Sequence, residues 1–298
     1  MLIRPATAGD AAGIRAVCAA SLPFDSDGAD LAGILSPADL IVAEAEGEVT
    51  GVAGGSVRRG PPVADGPVRG HVDLLAVAPA ARGQGTGARL LAAVEDRLRS
   101  DGADVVRLGQ GSPVYLWPGV DPRYTVMTCL ANRSGYERQG ETVNMIAGLA
   151  PAAPLGTEAD ERRLAADGIS LRRAAAAEAG PLVEWLRQGP WGGLSWPDEV
   201  ALALTRDPPG CHVAVRGPAY LAFACHGVVR RPWFGPMGTL PAEQRHGLGA
   251  VLLKRCLADM RQAGHPSAQI GWTGPVRFYA RAVGAHIDRV FWVYEKAL

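Results

Sequence analysis

The sequence predicts a mixed α/β protein built from two copies of one domain. Apolar runs of strand length alternate with stretches whose leucines and valines recur at helical spacing. A glycine-rich turn between a strand-like and a helix-like run occurs twice, at residues 74–91 (LLAVAPAARGQGTGARLL) and 236–253 (PMGTLPAEQRHGLGAVLL). The order of elements around that turn also repeats, with a period near 160 residues. Such a period is a whole domain and is too long for a solenoid repeat. A chain of 298 residues accommodates two domains, and 48% hydrophobic against 20% charged residues supplies packed cores for both.

In the first copy, residues 2–4 read as a short strand. Residues 8–20 read as a helix introduced by the polar pair Thr7 and Asp10. The Gly/Asp/Pro-marked passage 21–39 is ambiguous. Residues 40–45 and 49–57 form a candidate hairpin around the Glu46-Gly47-Glu48 turn, and 60–70, rich in Pro and Gly, reads as a loop. Residues 71–77 form the strand that enters the first glycine turn. Beyond it, Leu90, Leu91, Val94 and Leu98 mark a helix over 88–101, stopped by Gly102. A strand at 105–108, a long loop at 111–123, a short helix at 127–134 and a strand at 141–149 complete the copy.

The stretch 151–168, PAAPLGTEADERRLAADG, is polar and bounded by Pro and Gly. It is expected to link a domain over 1–150 to a domain over 169–298. The order then repeats: strand 169–173, helix 174–186, strands 212–215 and 220–229, and a strand into the second turn. A helix at 250–263, a strand at 269–272, a short helix at 276–283 ended by Gly284 and a last strand at 285–296 follow.

The formal net charge is zero and the pI is about 7.0. No broad basic surface for nucleic acid or an anionic membrane is therefore expected, and Arg58-Arg59 and Arg230-Arg231 read as solvated loop charges. The five cysteines are scattered and never form C-x-x-C, so neither a disulfide framework nor a metal site is indicated. No run has the length of a membrane span and the first residues lack a signal-like apolar segment. The expectation is a cytoplasmic protein with no membrane partner.

The glycine turn itself carries chemistry. A helix N-terminus presents unpaired N–H groups and the positive end of its dipole, and missing Cβ atoms let phosphate oxygens approach the backbone. One such turn is also a plain tight turn; two in matching contexts point to an anion.

Taken in order, each copy resembles the GNAT superfamily of acyl-CoA-dependent N-acyltransferases. The match rests on Arg82-Gly-Gln-Gly-Thr-Gly87 and Gln244-Arg-His-Gly-Leu-Gly249, which fit the family's Gln/Arg-x-x-Gly-x-Gly/Ala signature, and on the tyrosine-bearing helix Arg277-Phe-Tyr-Ala-Arg-Ala-Val-Gly-Ala285. The resemblance implies a splayed, mainly antiparallel sheet flanked by helices in each domain, the two pairing about a pseudo-two-fold within a monomer. It also implies acetyl-CoA as cofactor, its pyrophosphate on the glycine turn and its pantetheine arm along the preceding strand. Carried over, the strand contacts are Leu75, Ala76 and Val77 in one copy and Met237, Gly238 and Thr239 in the other. The turn contacts are Arg82, Gly83, Gln84, Gly85, Thr86 and Gly87, and Gln244, Arg245, His246, Gly247, Leu248, Gly249 and Ala250.

Transfer to an amine needs a base for the ammonium proton and a proton for the departing thiolate. The resemblance makes Tyr279 the donor and the C-terminal copy catalytic, since the first copy has Leu130 or Ala131 at the matching place. Tyr279 also reads as a core ring beside Phe278. Asp73, by contrast, stands in the first copy about where the family often carries an acidic base, and the second copy has Gly and Pro there. His226 is a further candidate base. Trp191, Trp196 and Trp233 could line a substrate pocket or a core edge. The function implied is N-acetylation of a small-molecule primary amine by direct attack in a ternary complex. Tandem members of the superfamily suggest an aminosugar-type metabolite. The alternative is a silent acyl-CoA-binding or sensor protein.

Overall fold

The computed structural model describes residues 1–57, 66–111 and 113–298, so Arg58-Arg59 and most of the expected 60–70 loop lie outside the described residues. The chain divides into two compact units, Met1–Thr142 with Val290–Leu298, and Val143–Arg289.

Unit 1 begins with β1 (Leu2–Pro5), α1 (Ala11–Ser21), β2 (Leu40–Ala45) and β3 (Glu48–Val57). Next come β4 (Arg69–Val77), α2 (Thr86–Ser100), β5 (Val105–Leu108), α3 (Thr125–Arg133) and the start of β6 (Glu137–Gly148). The strands β1 to β4 pair antiparallel in sequence order, and β4 pairs parallel with β5. The β2–β3 hairpin turns at Glu46 and Gly47, both with positive φ, as the Glu-Gly-Glu sequence predicts. Leu90, Leu91, Val94 and Leu98 are all buried on one face of α2, in a core with Ala53, Val72 and Val106. The ambiguous 21–39 passage folds as short 3₁₀ turns at Gly28–Ile34 and Pro37–Asp39.

Unit 2 takes the end of β6 and then α4 (Glu158–Ala166), β7 (Ile169–Arg173), α5 (Ala179–Gln188) and α6 (Trp196–Leu204). It continues with β8 (Cys211–Arg216), β9 (Ala219–His226), β10 (Trp233–Thr239), α7 (Leu248–Gln262), β11 (Ser267–Ile270), α8 (Val276–Val283) and the start of β12 (His286–Ala297). Strands β7 to β10 pair antiparallel and β10 pairs parallel with β11. Two helices differ from expectation. The polar stretch between the copies contains α4, which buries Leu164 and carries Glu158, Asp160 and Glu161 in its first turn, where the helix dipole favours them. The Trp/Pro-rich segment contains α6, with Pro197 tolerated near its start.

Each sheet is completed by a strand from the far half of the sequence. From Val143 onward β6 belongs to unit 2, where it pairs antiparallel with β11. From Val290 onward β12 belongs to unit 1, where Glu295 to Ala297 pair with β5. Tyr294 is fully buried in the unit 1 core, and Lys296 and Tyr136 both bond Glu95 of α2.

The copies superpose in sequence at an offset of 162 (72 to 234, 108 to 270). The β4–β5 ladder ends at Val72↔Leu108 and the β10–β11 ladder at Phe234↔Ile270. Past those pairs the strands part. One extra residue bulges each strand at the same point, between Val72 and Leu74 and between Phe234 and Met237. The splayed edges of β4 and β10 therefore run toward the two glycine turns without a registered partner on that side among the described residues.

Candidate active site

At the first turn, Pro79–Ala81 make a 3₁₀ turn, Gly83 has φ 75° and Gly85, at the N-cap of α2, has φ 80°. The left-handed conformation is accessible to glycine without penalty and aims successive N–H groups into one concavity. The Arg82 guanidinium donates to the Val77 carbonyl at 3.1 Å, tying the turn to the strand that feeds it. The second turn repeats this arrangement. Gly247 caps α7 with φ 91°, Gln244 donates to the Thr239 carbonyl at 3.4 Å, and α2 and α7 are both 15 residues long. Arg245 holds φ 68° where the first turn has Gly83.

The surroundings of the two turns differ. The first opens into a cavity of about 830 Å³ that reaches along β4 from Val77 to Asp73. Cβ atoms added at Gly83 or Gly85 would meet open space, so the turn has room for a phosphate group against its backbone. In the second copy the same part of the strand is covered. An added Cβ at Gly238, which corresponds to Ala76, would lie 2.5 Å from Trp191 Cζ2. Trp191 is buried and packs against Trp185, Trp196 and Phe223 at ring distances of 5.2, 6.3 and 5.3 Å. The Trp191 and Trp196 rings are thus part of a core cluster, and Trp233 is buried with the Arg230 guanidinium 4.5 Å above its ring.

Asp73 sits at the bulge, 3% exposed, and lines the cavity. Ser56 donates to its Oδ2 at 2.7 Å, whereas its buried Oδ1 has no partner. Burial pushes its pKa up to about 7, with the Ser56 hydrogen bond opposing the rise. Gly111 makes this possible, because a Cβ there would overlap Oδ1. Across the same cavity Trp117 Nε1 donates to Asp25 Oδ1 at 3.1 Å and the Tyr124 hydroxyl donates to Asp25 Oδ2 at 2.7 Å. Phe24 meets Tyr124 edge-on at 5.1 Å under the Arg123 guanidinium. The sequence points to Asp73 but to none of Asp25, Gly111, Trp117 or Tyr124, which are distant along the chain and meet only in the fold.

Tyr279 lies on α8, 6% exposed, with its ring 4.9 Å from Phe278 and 6.1 Å from Phe234. Burial raises its hydroxyl pKa above the ordinary value. His226 Nε2 stands 3.2 Å from Asp259 Oδ2, the same oxygen that His212 Nε2 approaches at 2.6 Å and Arg173 at 2.8 Å. These three ligand-type side chains, His212, His226 and Asp259, form a tight cluster among the described residues. Although burial opposes it, the histidine hydrogen bonds hold the Asp259 carboxyl below its usual range.

Residues 21–113, which include the first turn and Asp73, match the acetyltransferase (GNAT) family model. The fold is shared with solved structures across 99% of this chain. The chain has the fold of tandem GNAT proteins. It is similar to the GCN5-related glucosamine N-acetyltransferase region of a fungal multi-domain β-N-acetylglucosaminidase, with TM-score 0.78 and 17% identity, and it spans 38% of that longer chain. A GCN5-related N-acetyltransferase from Sphaerobacter thermophilus gives TM-score 0.69 at 19% identity over 95% of its length. A tandem GNAT protein from the clavulanic acid biosynthesis pathway gives 0.65 at 17% over 98%. No curated protein matches by sequence. No helix among the described residues is long and apolar enough to cross a membrane.

Proposed function

We propose that the protein is an acetyl-CoA-dependent N-acetyltransferase for a primary amine of a small molecule, and that unit 1 carries the chemistry. One observation supports this most: Asp73, a buried carboxylate with one oxygen unpartnered, lines a cavity continuous with the first glycine turn. The turn fits acetyl-CoA. The N–H groups of Thr86, Gly87 and Ala88 at the start of α2 would hold the pyrophosphate, and the splayed edge of Leu75 to Val77 would pair with the pantetheine arm. Bound there, acetyl-CoA supplies a thioester carbon open to attack and a sulfur able to depart.

Asp73 acts as the base. With its pKa about 7, it is substantially ionised at neutral pH and takes a proton from the substrate ammonium on its carboxylate. The uncovered amine nitrogen bonds the acetyl carbon, the carbon–sulfur bond breaks, and the nitrogen's second proton balances the thiolate. Thiols ionise near 8.5, so a sulfur leaves near neutral pH with modest help, which accounts for a first copy without a tyrosine on α3. No serine or cysteine is required as nucleophile, and transfer is direct. Unit 2, with Trp191 seated on its strand, is read as a copy that does not transfer.

Acetyl-CoA with a panel of amines, followed by thiol release, tests this. Turnover that falls by about 10²-fold or more in Asp73→Asn is expected. Unchanged turnover in that variant would remove Asp73 from the mechanism. Absence of any thermal stabilisation by acetyl-CoA would remove the whole reading, because a ligand of the folded state must stabilise it.

A further inference from the structure

The acceptor side of the unit 1 cavity has an unusual polar economy. Its wall includes Leu22, Phe24, Leu108 and Val120. Six of the polar side chains of this wall are engaged within the protein, while Arg133 and Ser134 line the cavity at the end of α3. Trp117 and Tyr124 donate to Asp25, Arg123 makes a two-pronged contact with Asp121, and Thr125 donates to the Pro122 carbonyl. The fully buried side-chain atom of this wall without a hydrogen-bond partner, among the described residues, is Asp73 Oδ1.

A substrate entering such a space exchanges water for these walls. A ring bearing several hydroxyls would lose its hydrogen bonds and find too few side chains beside the carboxylate to replace them, a penalty repeated for each group left unpaired. An apolar body loses nothing and gains by burial. A single ammonium finds one matching acceptor. From this we propose that the acceptor is a primary amine on an apolar, unhydroxylated body, an arylalkylamine or alkylamine, and not an aminosugar. Its ammonium rests on the Asp73 carboxylate and its body lies against the Phe24, Trp117 and Tyr124 side. The inference rests on the proposed transferase activity and names its acceptor.

The proton arithmetic suits this class. Apolar surroundings lower an ammonium pKa and have raised that of Asp73, so the two approach each other and the proton moves at small cost. The proton accepted by Asp73 returns to solvent after transfer. The products are the N-acetyl amine, the free thiol and one proton.

The full-length protein is assayed with acetyl-CoA against 2-phenylethylamine, hexylamine, glucosamine and a short peptide with a free N-terminus, following thiol release. The expected result is a kcat/KM for the two apolar amines at least about 10²-fold above glucosamine. In Phe24→Asp the phenylethylamine KM is expected to rise about tenfold while kcat changes little, because the ring contact is made equally in ground and transition states. Glucosamine turning over as well as or better than the apolar amines overturns the proposed class and leaves the transferase standing. Turnover of the peptide alone overturns the class in the same way. Thiol release with none of these amines, despite acetyl-CoA binding by calorimetry, overturns the transferase reading itself.

Discussion

Replacing Asp73 by asparagine separates the carboxylate's charge from its shape. In the native protein Asp73 titrates at about 7, raised by burial from a reference value of 3.8. The native state therefore binds a proton that the unfolded chain has released, throughout the window between those values. Stability falls as pH rises across that window, by about 1.4 kcal/mol per unit, and is flat above it. The whole interval corresponds to roughly 4 kcal/mol, of which about 3 kcal/mol falls between pH 5 and pH 8. An amide does not titrate, so Asp73→Asn lacks this slope. It leaves a buried N–H₂ where Oδ1 stood, a pH-independent penalty of about 1–3 kcal/mol. The variant is thus expected to gain on wild type by about 3 kcal/mol from pH 5 to pH 8, as it loses turnover. Urea unfolding of both proteins at half-unit pH steps measures the difference, in which all other titrating groups cancel. A difference that stays level across pH 5 to 8 would refute a buried carboxylate with a raised pKa.

Gly111→Ala pushes a methyl into Asp73 Oδ1 and should destabilise by about 1–3 kcal/mol while lowering kcat/KM. In an Asp73→Ala background the stability penalty should vanish, and its persistence would show a different cause. Gly238→Ala places a methyl 2.5 Å from Trp191 and 2.9 Å from Phe223, so a similar loss in the urea midpoint is expected with turnover unaltered. Tyr279→Phe should change kcat less than about threefold, whereas a donor role requires about 10²-fold, so one rate measurement decides between the two units.

Much of the fold is legible in the chain. The strand, turn and helix around Arg82 and Gln244 follow from local rules, since glycine conformation and leucine spacing need no distant partner. The α8 helix and β5 are likewise readable end to end. What escapes reading depends on tertiary contact. The α4 helix looks like a linker because only Leu164 is buried, and α6 hides behind Pro197 and a run of tryptophans. From the chain alone Trp191 has two equal roles, and the packing of Gly238 against its ring picks the core. Asp25 with Trp117 and Tyr124 spans about a hundred residues, a separation across which no periodicity speaks. The preference for Tyr279 rests on a helix that resembles the family. The geometry around Asp73 instead favours the copy whose helix does not.

The exchange of final strands bears on how the protein is made. The sheet of unit 1 pairs β5 with residues 295–297, which leave the ribosome almost two hundred residues after β5 itself. Until then Val105 to Leu108 offers an unclosed edge, and Glu95 waits for Lys296. A nascent first copy must persist half-built through the synthesis of the second, with its edge open to wrong partners. Cleavage after residue 150, which would look like a clean excision of one repeat, would leave unit 1 without its last strand. The two repeats are therefore a single heritable unit, and a lesion in the codons for residues 290–298 is expected to damage the fold of the first half.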